Sequence, residues 1–358
     1  MWDLKDIKNR KKFVKKSLKD CKNYLEKEKI LLTLESYDSM FDDVKINSLN
    51  SIEKKFYNIF TNLRNNINNR KFDVKQTIDE DYYLFLMRLC FSIMSRNDIV
   101  DGEISYKKMN IKLKDMIDIS LDFYKQLDID IYNVVRYLYN KKGHILCKNR
   151  SINNNHLYGA ITFHDYVFHD SFILIYLNNN ITDLLNINHE IMHAFEFKEN
   201  PKSPSNNYFG FHEVSTNTID ILFIEYLVKQ GFNKKELYNI YNNSICRTKY
   251  FCEEVLCRIM DKINVDFGDS FIDVFNYDKV KDVLDLEIKY KLLGIESMVL
   301  GNCISNKISD DKKNINILKN FIYSKIDPNF IPDFSKYNIS NEYMINYCLD
   351  TKKMIKKI

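Results

Sequence analysis

The residues best suited to chemistry stand in the stretch ITDLLNINHEIMHAFEF, Ile181 to Phe197, whose centre reads His189-Glu190-Ile191-Met192-His193. Histidines four apart project side by side from a helix, so two neutral imidazoles can reach a single zinc ion. Glu190 would then lie beside the metal, where a carboxylate can take a proton from water. Five letters are a weak signal alone, because this pattern arises by chance in about one per cent of chains this long. A third ligand strengthens it. Glu213 follows His193 by twenty residues, near the start of a second amphipathic stretch, YFGFHEVSTNTIDILFIEYLV. A carboxylate from a second helix leaves one of the four zinc positions open. Asp220, two turns beyond Glu213 on the same face, can accept the remaining ring N–H of a zinc histidine.

All seven histidines, at 144, 156, 164, 169, 189, 193 and 212, fall within one short window. His212 precedes Glu213 and is as fit to neighbour the site as to act in it. The four earlier histidines are expected to be structural, three of them on strands close to the metal.

The first histidine pair needs a rigid carrier. Thr182 and Asp183 are suited to cap a helix, and Leu184, Ile187, Ile191 and Phe195 then recur at helical spacing as a stripe to bury. Just upstream, HLYGAITFHDYVF and SFILIYLNN are rich in β-branched and aromatic residues and bounded by Asn turns, which predicts two or three strands. Before them, LKDMIDISLDFYKQLDIDIYNVVRYLYN predicts a helical pair with Leu113, Met116, Ile117, Leu121, Phe123 and Leu127 inward.

The remainder reads as helix. With 358 residues, 45% of them hydrophobic, the chain can bury a large core, and only 8 Gly and 4 Pro leave few breaks in regular structure. The expected class is mainly α, with a small β-sheet beside the helix that carries the histidines. The basic segment KDIKNRKKFVKKSLKDCKNYLEKEK places Ile7, Val14, Leu18, Cys21 and Leu25 at near-heptad spacing, so its lysines form the outer face of a helix. The 53 basic and 49 acidic residues are mixed along the chain, which argues against a nucleic-acid partner. The first residues carry no apolar run of a secretory signal, and no segment has the length of a membrane span, so a cytoplasmic protein is expected. Eight cysteines without a CxxC pair read as reduced, mostly buried thiols.

The stretch LYGAITFHDYVFHDSFILIYLNNNITDLLNINHEIMHAFEF resembles the core of the thimet oligopeptidase and oligoendopeptidase F family of zinc peptidases, in which a Gly-Ala strand, an apolar strand ending in Asn and a helix bearing HExxHA follow in order. Gly159 and Ala160, FILIYLN and HEIMHA match these parts. EVSTNTID supplies the family's next motif with Glu213, Thr216 and Asp220. The likeness spans roughly residues 105 to 310, and its specificity lies between 157 and 220. It implies a multi-helical zincin with a catalytic region over 105–358 and a helical region over 1–104 as a partial roof of the cleft, shorter than the family's usual N-terminal half.

The resemblance further implies a zinc-dependent peptidase acting on oligopeptides or flexible peptides. His189, His193 and Glu213 would hold Zn2+, Glu190 would be the general base, and the strand at Gly159, Ala160 and Ile161 would pair with an extended peptide. Tyr290, four residues before Gly294 in IKYKLLGIESMVLG, is the first candidate to stabilise the oxyanion; Tyr277 is the second, and His212 stands behind them. The rival reading is a helical zinc-binding or regulatory protein without turnover. The thinly represented tyrosine motif favours it, and the intact Glu190 opposes it.

Overall fold

The computed structural model describes residues 3–21, 24–45, 78–96, 106–109, 111–140, 144–149, 159–199, 213–265, 271–324 and 334–349. The class is as expected, mainly α-helical with a small three-stranded sheet. The chain divides into two compact units, Met1–Asp73 with Lys107–Asn206, and Val74–Tyr106 with Asn207–Ile358. This division interleaves along the chain and differs from the regions drawn at residue 104.

In the first unit, helices α1 (Leu4–Asp20) and α2 (Tyr24–Lys45) pack together. Asp3 caps α1 by accepting from the amides of Lys5 and Asp6, and Ile7 and Val14 turn inward as their spacing predicts. Strands β1 (Ile145–Asn149), β2 (Ala160–Asp165) and β3 (Asp170–Leu177) form a sheet in the order β1-β3-β2, with β3 parallel to β1 and antiparallel to β2. The strand at Ile145–Asn149 is not anticipated by the sequence pattern.

Side chains alternate across the pleat, so each strand divides between two neighbours. Phe172, Leu174 and Tyr176 join Ile7, Val14, Ile30, Leu34 and Tyr37 in one core, with Ile161 and Phe163 packed against it. The opposite face carries helix α6 (Thr182–Glu199), on which helix α4 (Leu113–Leu127) and helix α5 (Ile129–Asn140) also pack. The Tyr124 hydroxyl donates to the Asn188 carbonyl at 3.1 Å and ties α4 to α6. Met116, Ile117 and Phe123 are buried as expected, whereas Leu113, Leu121 and Leu127 are only half-buried.

A buried charge cluster closes one end of the sheet. Arg10 reaches Asp165 and Asp170, Tyr37 donates to Asp165, and His144 pairs with Asp170 at 2.9 Å while stacking on Phe172. His144 is therefore structural, as expected.

The second unit is helical: α3 (Glu80–Met94), α7 (Glu213–Lys229), α8 (Lys234–Ile263), α9 (Tyr277–Val280), α10 (Leu286–Asp310), α11 (Ile315–Ser324) and α12 (Asn341–Leu349). Helices α7 and α10 come close together at Gly301. A Cβ on Gly301 would stand 2.8 Å from Asn217 Cβ and 3.0 Å from the Val214 carbonyl oxygen, so only glycine lets the backbones meet there. Helices α8 and α10 are linked at the surface by Arg258 with Glu287 and by Lys291 with Glu254. Such exposed pairs contribute little to stability. Five of the eight cysteines are buried, in line with their reading as core thiols. Among the described residues no helix is long and apolar enough to cross a membrane.

Candidate functional site

Helix α6 carries the histidine pair, and its N-terminus is built differently from expectation. Thr182 and Asp183 do not cap it. Asn180 Oδ1 accepts from the Thr182 amide at 2.8 Å and from its hydroxyl at 2.6 Å. The Asp183 carboxylate instead accepts from the amides of Asn178 and Asn179, both at 2.8 Å, and so holds the turn that leads from β3 into the helix. Short polar side chains bond backbone amides near them on either side, so Asn180 serves the first helical residue and Asp183 the turn before it.

The expected stripe forms: Leu184, Ile187, Ile191 and Phe195 are all buried. His189 and His193 are half-buried, with ring centroids 4.8 Å apart in an edge-on arrangement. Glu190 is buried, and its Oε2 accepts from the Thr162 hydroxyl on β2 at 2.6 Å. The same hydroxyl lies 3.1 Å from the Glu190 carbonyl oxygen.

Strand β2 follows α6 over a considerable length. At its start, a Cβ on Gly159 would stand 2.1 Å from Asn186 Nδ2, so the strand backbone lies directly against that amide. Farther on, His164 stacks on Phe197 with centroids 4.2 Å apart and bonds Ser171 at 3.2 Å. Asn186, Glu190 and Phe197 lie four and seven residues apart, on one helix face. Thr162 and His164 are two apart and share one strand face. Strand β2 pairs with β3 on one side and stands at the edge of the described sheet, with Ala160 opposite Ile175 and Ile161 opposite Leu174.

In the second unit, Glu213 is the first residue of α7, where the helix dipole favours a carboxylate. Its Oε2 accepts from the Thr216 hydroxyl at 2.9 Å, and that hydroxyl lies 3.1 Å from the Glu213 carbonyl oxygen. Asp220 lies on the same helix and is partly buried. Tyr290 lies on α10 and is 38% exposed. The Tyr277 hydroxyl, by contrast, donates to the Ile78 carbonyl at 2.5 Å, and its ring packs on Tyr83. That bond ties Tyr277 to the start of the segment that leads into α3. His156 and His212 lie outside the described residues.

Among the described residues, His189, His193 and Glu213 make up the candidate metal-ligand set. Two imidazole nitrogens and one carboxylate oxygen are the donor types of an open zinc site, so these residues fit that ion. The sequence pattern did not single out Thr162 or Asn186. A hydroxyl two residues after a Gly-Ala pair is the one local signal Thr162 carries.

No family model matches the chain, and no curated protein matches it. Two solved structures are similar. One, named a "putative oligoendopeptidase F" from Bacillus anthracis str. Ames, aligns with a TM-score of 0.47 and 10% identity over 93% of this chain and 62% of that one. The other, a "putative peptidase" from Chlamydophila abortus, aligns with a TM-score of 0.48 and 15% identity over the same shares. The chain thus spans less than two thirds of either protein.

Proposed function

We propose that this chain is a zinc-dependent peptidase acting on oligopeptides or flexible peptide segments. The observation that carries this reading is the treatment of Glu190. A binding protein has no use for a buried carboxylate between two histidines, yet here a threonine from a separate strand is spent on holding it. His189, His193 and Glu213 would hold the metal. A zinc ion bound there would supply Lewis acidity to a carbonyl group and lower the pKa of water.

The chain's own residues account for the rest. Glu190 takes a proton from the attacking water and delivers it to the leaving amine, so one group serves as base and then as acid. The outer edge of β2 around Gly159, Ala160 and Ile161 is where an extended peptide would pair, with the backbone groups of Ala160 turned outward because the Gly159 carbonyl already accepts from the Tyr176 amide. As the tetrahedral centre forms, charge builds on the former carbonyl oxygen and calls for a donor. Tyr290 is assigned that role, and Tyr290→Phe should lower kcat roughly 10–1000-fold with KM little changed. An unchanged kcat would remove Tyr290 from the site.

The test of the whole reading joins metal analysis with cleavage of a broad quenched-peptide set. Wild type should bind zinc and cleave; Glu190→Gln should keep zinc and fold while kcat falls by about 100–10,000-fold. Equal rates for the two would refute the mechanism. Zinc without any cleavage would favour a non-catalytic zinc-binding protein, the reading that the thinly represented tyrosine motif favours.

A further inference from the structure

We infer that Thr162 is the positioning residue of Glu190, holding its carboxylate in one place over helix α6. The inference rests on the reading of Glu190 as the base. Thr162 Oγ1 stands within reach of two acceptors on one residue, Glu190 Oε2 at 2.6 Å and the Glu190 carbonyl oxygen at 3.1 Å. A hydroxyl has one proton to donate and two lone pairs with which to accept. The shorter contact makes Oε2 its acceptor, and the carbonyl oxygen shows how closely the strand lies over that helix turn.

With Glu190 ionised, the hydroxyl donates to Oε2, the shorter and charge-assisted bond. The proton from water is taken up at the other carboxyl oxygen, which leaves the bond from Thr162 to Oε2 in place. Both oxygens stay in place and only hydrogens move. The threonine proton never leaves; the proton from water passes to Glu190 and on to the leaving amine. A carboxyl group so held cannot swing away between the two halves of the reaction.

The strand itself is fixed on either side of Thr162. Gly159 lies against Asn186, and His164 stacks on Phe197, so the height of β2 over α6 is set before and after the threonine. Thr162 also pairs with Ile173 in mid-strand, and its branched side chain has few rotamers available.

Two substitutions separate the hydroxyl from its shape. Thr162→Val keeps the volume and loses the hydrogen bond to Glu190; Thr162→Ser keeps the hydroxyl and loses a methyl group. Thr162→Val should lower kcat about 10–100-fold, with KM and zinc content close to wild type. Thr162→Ser should stay within a few-fold of wild type. If the residue served only to fill space, the order would reverse, with valine tolerated and serine not; that result overturns the inference, as does an unchanged kcat in Thr162→Val.

A second readout does not need turnover. In crystals of the metal-free proteins, the Glu190 carboxyl should occupy one position in wild type and Thr162→Ser, and a displaced or divided one in Thr162→Val. A Glu190 that stays put in Thr162→Val overturns the proposal. Should wild type cleave no peptide, the peptidase reading fails, and the crystals still decide the positioning role. If the valine variant does not fold, Thr162→Ala removes the same hydroxyl and takes its place in both measurements.

Discussion

Glu296 is a carboxyl group enclosed by protein on every side. Burial pushes it up to about 7 from an ordinary 4.5, against the pull of the hydrogen bond from Tyr82. The folded state thus holds the proton more tightly than the unfolded chain. Its contribution to stability is full below about pH 4.5 and is lost as pH rises through about 7. A displacement of this size corresponds to roughly 3 kcal/mol. Glu296→Gln keeps a partner for Tyr82 and removes the charge. Urea melts should show little difference between the variant and wild type at pH 4, and a gain of up to about 3 kcal/mol for the variant at pH 8. A gain that does not grow with pH would mean that Glu296 titrates normally.

At the scale of elements, the crossing of α7 and α10 is set by Gly301. An added methyl group meets the Val214 carbonyl and the Asn217 Cβ, neither of which can swing aside as a long side chain would. Gly301→Ala should therefore cost about 1–3 kcal/mol despite the better helix propensity of alanine, and Gly301→Val more. Gly294 on the same helix meets nothing within 4 Å, so Gly294→Ala is the control, expected to be neutral or stabilising. Chemical denaturation of the three variants checks this. The contrast also marks how far the sequence could be read. The helix under His189 and His193 was legible because its buried stripe and donor spacing are local. So were β2 and β3 as strands, from their β-branched and aromatic residues. Strand β1 was not: ILCKN is five residues long, and its parallel partner begins at Ile173, far down the chain. The role of Asn180 was missed because Thr182 and Asp183 are equally good capping types at neighbouring positions, and Thr162 because only the packing of α6 on β2 gives its hydroxyl a task.

At the scale of the molecule, the two units interleave along the chain. Helix α3 buries Tyr83, Phe85, Leu86, Met87, Leu89 and Cys90, and it packs in its own unit against α8, α9, α10 and α12. All of those lie beyond residue 233. The sequence between α3 and these partners belongs largely to the other unit. Pulse-labelled hydrogen exchange during refolding should thus show the amides of Glu80–Met94 gaining protection together with Lys234–Ile263 and Asn341–Leu349, and not with the nearer Leu113–Leu127. Protection of α3 in step with Leu113–Leu127 would show that the units are not independent folding blocks. During synthesis the same arrangement becomes a delay. At about 5–20 residues per second, a ribosome needs on the order of ten seconds to pass from the end of α3 to the start of α8. For that time a strongly apolar helix waits outside the tunnel without its partners, a substrate for chaperones before the chain can become a candidate enzyme.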